Sequence, residues 1–406
     1  MTTTDGRQLT VVDPGWINTA AGPDFFNAKV LIDGNEWAGN IEVHLRASDW
    51  YRHGHHNDPA YNSVILHVVE NADMETATQD GRRLTQLEFH CDDRIKALYN
   101  HLLTAQELDL VCAQTIPSIP SLDLNSWIDT LAYERVYMKA DRFRGYLDAT
   151  GNDYEQAMFT AIARAMGFGK NSETLERTAL SIPLRLLAKH SDSPLALEAM
   201  VLGQAALIPP EGGNEYVEQL RREYNYLAVK FNLAPPSGAI WNLGRMRPQN
   251  LPYRRLATLA HMALGGFQIF SAVITSQSLR DLRDLFRISL TGYWATALSL
   301  TSERGASPAA LSERAIDSII INAAIPAMVA YGMERDSSGT VERAMELLRQ
   351  LPPEDNSKVR LLTAAGIPCP DAYTSQALTM LRNVYCEQRK CLFCRIGHRM
   401  ISTPKR

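Results

Sequence analysis

Near residue 120 the sequence changes its period. Before that point, apolar residues alternate with polar ones in short runs separated by Gly, Pro, Asn and Asp. After it, they recur every three to four residues in segment after segment. A period of two lines the two faces of a strand, and a period near 3.6 lines one face of a helix. The chain is therefore expected to be α+β. A mixed β-sheet domain is predicted over 1–120 and an all-helical region over 121–406, ending in a cysteine cluster. A length of 406 residues suits more than one core.

Strands are predicted over 8–13, 28–32, 37–45, 64–69 and 83–90. Pro14-Gly15 closes the first, and Asp33-Gly34 supplies a hairpin turn after the second. The run VILHVV over 64–69 is nearly all apolar, which places it centrally in its sheet. A helix is predicted over 91–107, and Pro117 and Pro120 mark a linker. Further helices are predicted over 128–147, 154–166, 173–188, 194–207, 216–231, 254–264, 279–298, 315–331, 341–351 and 375–384. No fixed-period self-similarity runs through them, so a regular solenoid is not predicted.

Several function classes are excluded. A net charge of −4 rules out a basic footprint over the whole chain and leaves only a local basic groove for nucleic acid. No apolar run reaches membrane-spanning length, and 318–331 is broken by Asn322 and Pro326, so no membrane partner is expected. The first residues lack the basic and apolar regions of a secretory signal. Six cysteines, three of them close together near the C-terminus, suit a reducing compartment, and a cytoplasmic location is expected. There is no phosphate-binding G-x-x-x-x-G-K-[ST], no G-x-S-x-G elbow and no dinucleotide glycine fingerprint.

The densest chemistry lies between Ala21 and Val69. Gly-Pro-Asp-Phe is followed by Trp-x-Gly-Asn-x-Glu-x-His, then Ser-Asp-Trp-x-x-His-x-His, then Tyr61 and Leu-His-Val-Val. This order resembles the bacterial domain-of-unknown-function family 2851. The similarity continues through WNLGRMRPQNLPYRRLATLA (241–260), PPEDN (352–356), SQAL (375–378) and the terminal YCEQRKCLFCRIG. The resemblance implies no established activity. It also implies a lead-in helix before the Asp5-Gly6-Arg7 strand, which this chain would lack.

Glu42 and His44 stand two apart on a predicted strand and so share a face. Asp24 precedes the neighbouring strand. An acid on one strand and Glu-x-Lys on the next is similar to the PD-(D/E)XK nucleases, here with His44 in place of the lysine. That similarity implies a restriction-endonuclease-like sheet in which Asp24 and Glu42 hold Mg²⁺ or Mn²⁺. Asp24, Glu42 and His44 are then the candidate catalytic residues of a metal-dependent nuclease or phosphodiesterase. A second donor set overlaps the first. Five of ten histidines lie between 44 and 67, and His53 and His55 with His44 or His67 suit Zn²⁺, Mn²⁺ or Fe²⁺. The plain alternatives are Glu42 paired with Arg46, His67 as a core residue and Asp49 as a helix cap.

Two further groups call for binding chemistry. Arg245, Arg247, Arg254 and Arg255 beside Trp241 suit phosphates and a stacked base, or else tie helices together. Cys386, Cys391 and Cys394 form C-x4-C-x2-C, with His398 four residues on. With His398, Cys369 or Cys112 they suit a zinc ion or an iron–sulfur cluster, and otherwise pack a terminal helix. The competing function is a non-catalytic nucleic-acid- or protein-binding scaffold with a degenerate nuclease-like domain. The two part on one observation, whether Asp24, Glu42 and His44 converge.

Overall fold

A computed structural model describes residues 1–18, 20–104, 110–238, 240–244, 250–301 and 309–402. The chain forms two compact units, Met1–Ala105 and Gln106–Arg406.

The first unit is built on a six-stranded mixed sheet. Its strands are β1 (Leu9–Asp13), β2 (Trp16–Ile17), β3 (Phe25–Ile32), β4 (Asn35–Arg46), β5 (Val64–Asn71) and β6 (Thr85–Glu88). The order is β1-β3-β4-β5-β6, with β2 also paired to β3. β1, β3 and β4 run antiparallel, whereas β4, β5 and β6 are parallel. The β3–β4 hairpin turns at Asp33 and Gly34, with φ of 49° and 81°, the left-handed pair that a tight hairpin needs.

The parallel step from β4 to β5 requires a crossover. It consists of the single turn α1 (Asp49–Arg52) and two 3₁₀ turns, His55–Asn57 and Pro59–Tyr61. Trp50, Tyr61, Val64 and Leu84 form the small apolar cluster of this crossover. The main sheet core is Leu9, Val30, Ile41, Leu66 and their neighbours. Gly39 sets the spacing of β4 and β5. A Cβ there would lie 2.4 Å from the Ile65 Cγ2 and 2.7 Å from the Ser63 carbonyl oxygen, so only glycine fits without a shift. The α2 helix (Asp93–Thr104) follows the sheet.

The second unit opens on a 3₁₀ run, Val111–Ser118, whose Ile116 is buried in the helical core. Pro120 then caps the 30-residue α3 (Ser121–Thr150). There follow α4 (Tyr154–Met166), α5 (Ser172–Leu180), α6 (Leu184–Ala188), α7 (Pro194–Gln204), α8 (Glu215–Phe231) and α9 (Pro252–His261). Next come α10 (Ile269–Thr275), α11 (Leu279–Leu285), α12 (Glu313–Ile319), α13 (Ile325–Glu334) and α14 (Ser338–Gln350). The last are α15 (Ser357–Ala364), α16 (Ala372–Met380) and α17 (Arg395–Ser402).

Two predicted helices are broken. Pro183 splits 173–188 into α5 and α6 because a proline lacks the N–H that would continue the ladder. The predicted 279–298 ends at Leu285. Ser289 then pairs with Ala310 as a β-bridge, and Gly292 takes φ 56°. Conversely, Pro326 does not stop its helix. A π turn over Ile320–Ala324 joins α12 to α13 just before it, widening the helix where proline would otherwise clash. The joined helix Glu313–Glu334 is long and apolar enough to cross a membrane by length and composition, but 78% of its apolar window is buried inside the protein. Core packing accounts for its character.

Candidate functional site

β4 places Ile41 in the sheet core and turns Glu42 and His44 to the opposite side. The parallel register sets Glu42 beside His67 of β5. The crossover then brings two more imidazoles over the same place. Gly54, with φ 79°, reverses the chain between His53 and His55, so both rings face His44. His53 Nδ1 lies 3.2 Å from His44 Nε2. His55 Nε2 lies 3.3 Å and His44 Nε2 3.5 Å from the Glu42 Oε1. Among the described residues, His44, His53 and His55 offer ligand atoms all within 4.8 Å of one another. Metal–nitrogen bonds of about 2.0–2.1 Å set tetrahedral donors ~3.3 Å apart, so a small ion suits this set.

Asp24 is tied to the same point. Its backbone N–H donates to the Glu42 Oε2 at 3.1 Å, and its Oδ2 accepts from the Val43 N–H at 2.9 Å. Asp24 is thus held beside Glu42 through its backbone, with its own carboxylate turned to the Val43 N–H. Burial, with the charge of Asp24 behind it, pushes the Glu42 carboxyl up to about 7. Burial and the neighbouring imidazoles hold His55 down to about 4, and burial holds His44 below its ordinary value. Both rings are therefore neutral at pH 7, the form that ligates metal.

His67 stands behind this group. It is 0% exposed, its Nε2 is 2.8 Å from His44 Nδ1 and its Nδ1 is 3.1 Å from the Thr76 hydroxyl. It orients His44 and does not itself face the three-histidine space. Tyr61 stands in the sequence only as part of the family pattern, with no site role read for it, and Thr76 is not singled out at all. The Tyr61 ring stacks on His55 at 3.8 Å between centroids. The Tyr after Asp58-Pro59 was the available signal for Tyr61, and Thr76 had none. The alternative pairing of Glu42 with Arg46 is not formed. Glu42 faces His44 and His55, and Asp49 accepts from the Arg46 N–H.

The arginine block is placed differently from a basic surface. Arg254 and Arg255 are each 3% exposed. The Arg254 Nη1 donates to the carbonyls of Trp294 and Ala297 at 3.0 and 2.6 Å, bonds that tie α9 to the segment after α11. Trp241 donates its indole N–H to the Ala205 carbonyl at 2.8 Å. Arg245 and Arg247 lie outside the described residues.

At the C-terminus, Cys386, Cys391 and Cys394 are gathered with Cys112 of the 3₁₀ run. Burial raises all four thiols, with Cys112 at about 11 and Cys386 at about 12, and the charges of neighbouring cysteines add to it at Cys112, Cys386 and Cys391. The backbone N–H groups of Ile396 and Gly397 and the Trp127 indole face the Cys394 sulfur and favour its thiolate. The Trp127 Nε1 is buried without an oxygen or nitrogen partner. His398 is exposed, and Cys369 is turned to the Asp371 carbonyl at 3.9 Å.

No curated protein and no solved structure matches the chain. One family model does, described as Protein of unknown function (DUF2851), over residues 1–357. The match spans the whole sheet unit and the helical unit as far as Ser357, and stops before the three terminal cysteines. The chain belongs to the DUF2851 family.

Proposed function

We propose that the sheet unit is a divalent-metal-dependent hydrolase of phosphodiester bonds, a nuclease or phosphodiesterase. The observation that carries this reading is Glu42 Oε1 set 3.3 and 3.5 Å from the Nε2 atoms of His55 and His44. His44, His53 and His55 would hold the ion. An imidazole-rich donor set favours Zn²⁺, Mn²⁺ or Fe²⁺ over Mg²⁺, which prefers oxygen. The bound ion supplies polarisation of a phosphoryl oxygen and acidification of a water. Glu42, its carboxyl raised to about 7, is matched in its ionised form to accept a proton from the attacking water. Asp24 keeps Glu42 basic by its charge and fixes its oxygen through the backbone N–H. Support for a phosphodiester comes from the similarity of Asp24 and Glu42-x-His44 on adjacent strands to the PD-(D/E)XK nucleases.

The test is cleavage of single-stranded DNA, double-stranded DNA, RNA and a chromogenic phosphodiester by the full chain with Zn²⁺, Mn²⁺ or Mg²⁺, with EDTA as control. The expected result is metal-dependent cleavage lost in Glu42→Gln while that variant still binds metal. Wild type that binds metal and cleaves none of these substrates would overturn the hydrolase reading and leave a binding scaffold.

We also propose that Cys112, Cys386, Cys391 and Cys394 hold a structural zinc ion or iron–sulfur cluster. Among the described residues only the three histidines already bring donor atoms within 4.8 Å of one another, so the four thiols would close on the metal as it binds, and its role would be to fasten the C-terminus.

A further inference from the structure

The helical unit carries a half-open recess of about 1260 Å³. One wall is a face of α3. Arg135, Lys139, Arg142 and Tyr146 follow at spacings of four, three and four, which stacks them along one side of a helix. Arg255 of α9, Arg283 of α11 and Arg314 of α12 reach the same space. Eight Lys and Arg side chains line it against four carboxylates.

Part of that positive charge is answered within the chain. Arg283 grips Asp317 with two bonds of 2.8 and 3.0 Å. Arg314 and Arg360 share Asp355. Among the described residues, Arg135, Lys139, Arg142 and Arg255 have no carboxylate at ion-pair distance. The Nε atoms of Arg135 and Arg255 are buried with no hydrogen-bond partner, and the Tyr146 hydroxyl is buried beside Glu176. Arg255 is the sharpest case. It is 3% exposed, its guanidinium lies 4.6 Å over the Phe168 ring, and Asn250 accepts from only one of its nitrogens. Burial and Arg254 hold Arg255 at about 10, and burial and Arg135 hold Lys139 at about 7.

Of these four cations Lys139, which donates only to the neutral Asn322 and Gln376, and Arg255 are buried without a counter-charge, a costly state that anionic oxygens placed between them and the less buried Arg135 and Arg142 would relieve. Arginine forks match phosphate oxygens. The donors are spread along two turns of α3 and across to α9, farther apart than one phosphate reaches. The recess also suits a compact molecule better than a long strand, which would need an exposed basic face. We propose that this cavity binds a small molecule carrying several phosphate groups, held by Arg135, Lys139, Arg142 and Arg255 with the Tyr146 hydroxyl as a further donor. This site is independent of the histidine centre.

The test is titration calorimetry on the full chain with inorganic tripolyphosphate, ATP and orthophosphate. Tripolyphosphate is expected to bind at least tenfold more tightly than orthophosphate. Arg142→Gln, at an exposed position that folding tolerates, and Arg135→Gln should each lower that affinity at least tenfold. The surface control Arg222→Gln should leave it unchanged. Tighter binding of ATP than of tripolyphosphate would identify a nucleotide, and equal binding a bare polyphosphate chain. Either answer supports the site. No binding at millimolar tripolyphosphate and ATP, or binding unmoved by Arg142→Gln and Arg135→Gln, would overturn it. So would displacement of tripolyphosphate by a single-stranded oligonucleotide that binds more tightly through the same arginines.

Discussion

His67 Nε2 lies 2.8 Å from His44 Nδ1, and the far nitrogen of His67 meets Thr76. With Thr76 accepting, the chain of donors leaves the Nε2 of His44 as a lone pair pointing at His53 and Glu42. A ligating imidazole whose other nitrogen is held in this way is oriented and made more basic. His67→Phe is therefore expected to weaken metal binding by roughly 10- to 100-fold, the usual effect of such partners. Thr76→Val, one step further out, should weaken it less. Competition against a chelator reads both. Equal affinity in wild type and His67→Phe would show that His44 is not held through this contact.

Glu42 gives a pH signature. Its carboxyl is raised from 4.5 to about 7 by burial and by Asp24. Between those values the folded protein binds a proton that the unfolded chain has released. This group's contribution to stability is therefore present at low pH and is lost as pH rises through about 7. A cation at His44, His53 and His55 opposes that protonation. Metal binding near pH 6.5 should thus release a proton from Glu42 in addition to any from the imidazoles, and Glu42→Gln should lower the release. Calorimetry in buffers of different ionisation enthalpy measures it, and a wild-type release no larger than that of Glu42→Gln would assign the proton elsewhere.

The histidine centre was legible because it is nearly local. Asp24, Glu42, His44, His53 and His55 fall within one hairpin and one crossover, and period-two alternation already puts Glu42 and His44 together. The strands were legible for the same reason, except β2, whose two residues, Trp16 and Ile17, are too few to show a period. Burial of Arg254 and Arg255 was not legible, because it depends on carbonyls after α11 and on Phe168, distant in sequence. The cationic face of α3 is visible as spacing, but which helices close a cavity over it is a property of the packed unit. The packing of α17 on the 3₁₀ run, which brings Cys112 towards Cys394, is a tertiary contact that no local pattern reports.

That docking yields a choice between fourth ligands. Cys112 is half-buried and within reach of the charges of Cys394 and Cys391, and His398 is exposed. Cys112→Ser should lose bound metal as fully as Cys394→Ser, whereas His398→Ala should keep it. Zinc, iron and acid-labile sulfide in protein purified without oxygen measure content and kind together. Removing the metal should also lower the melting temperature, because binding free energy at such sites contributes to folding. Metal retained in Cys112→Ser and lost in His398→Ala would reverse the assignment.

Lys139 offers a stability test that needs no ligand. It is 6% exposed and donates to Asn322 at 2.7 Å and to Gln376. Burial, with Arg135 adding to it, lowers its pKa from 10.5 to about 7. Between those values the unfolded chain binds a proton that the folded protein does not. Stability should thus rise with pH across that window, by at most about 1.4 kcal/mol per pH unit from this group. Lys139→Met removes that slope and leaves the Asn322 and Gln376 oxygens without their donor, at about 1–3 kcal/mol for each one buried. Relative to wild type, the variant should therefore be least stable near pH 10 and recover as pH falls towards 7. Urea unfolding of both proteins at several pH values gives the difference directly. A difference that stays constant across the window would mean that Lys139 keeps its proton in the folded protein, stabilised by Glu354 and the two amides despite its burial.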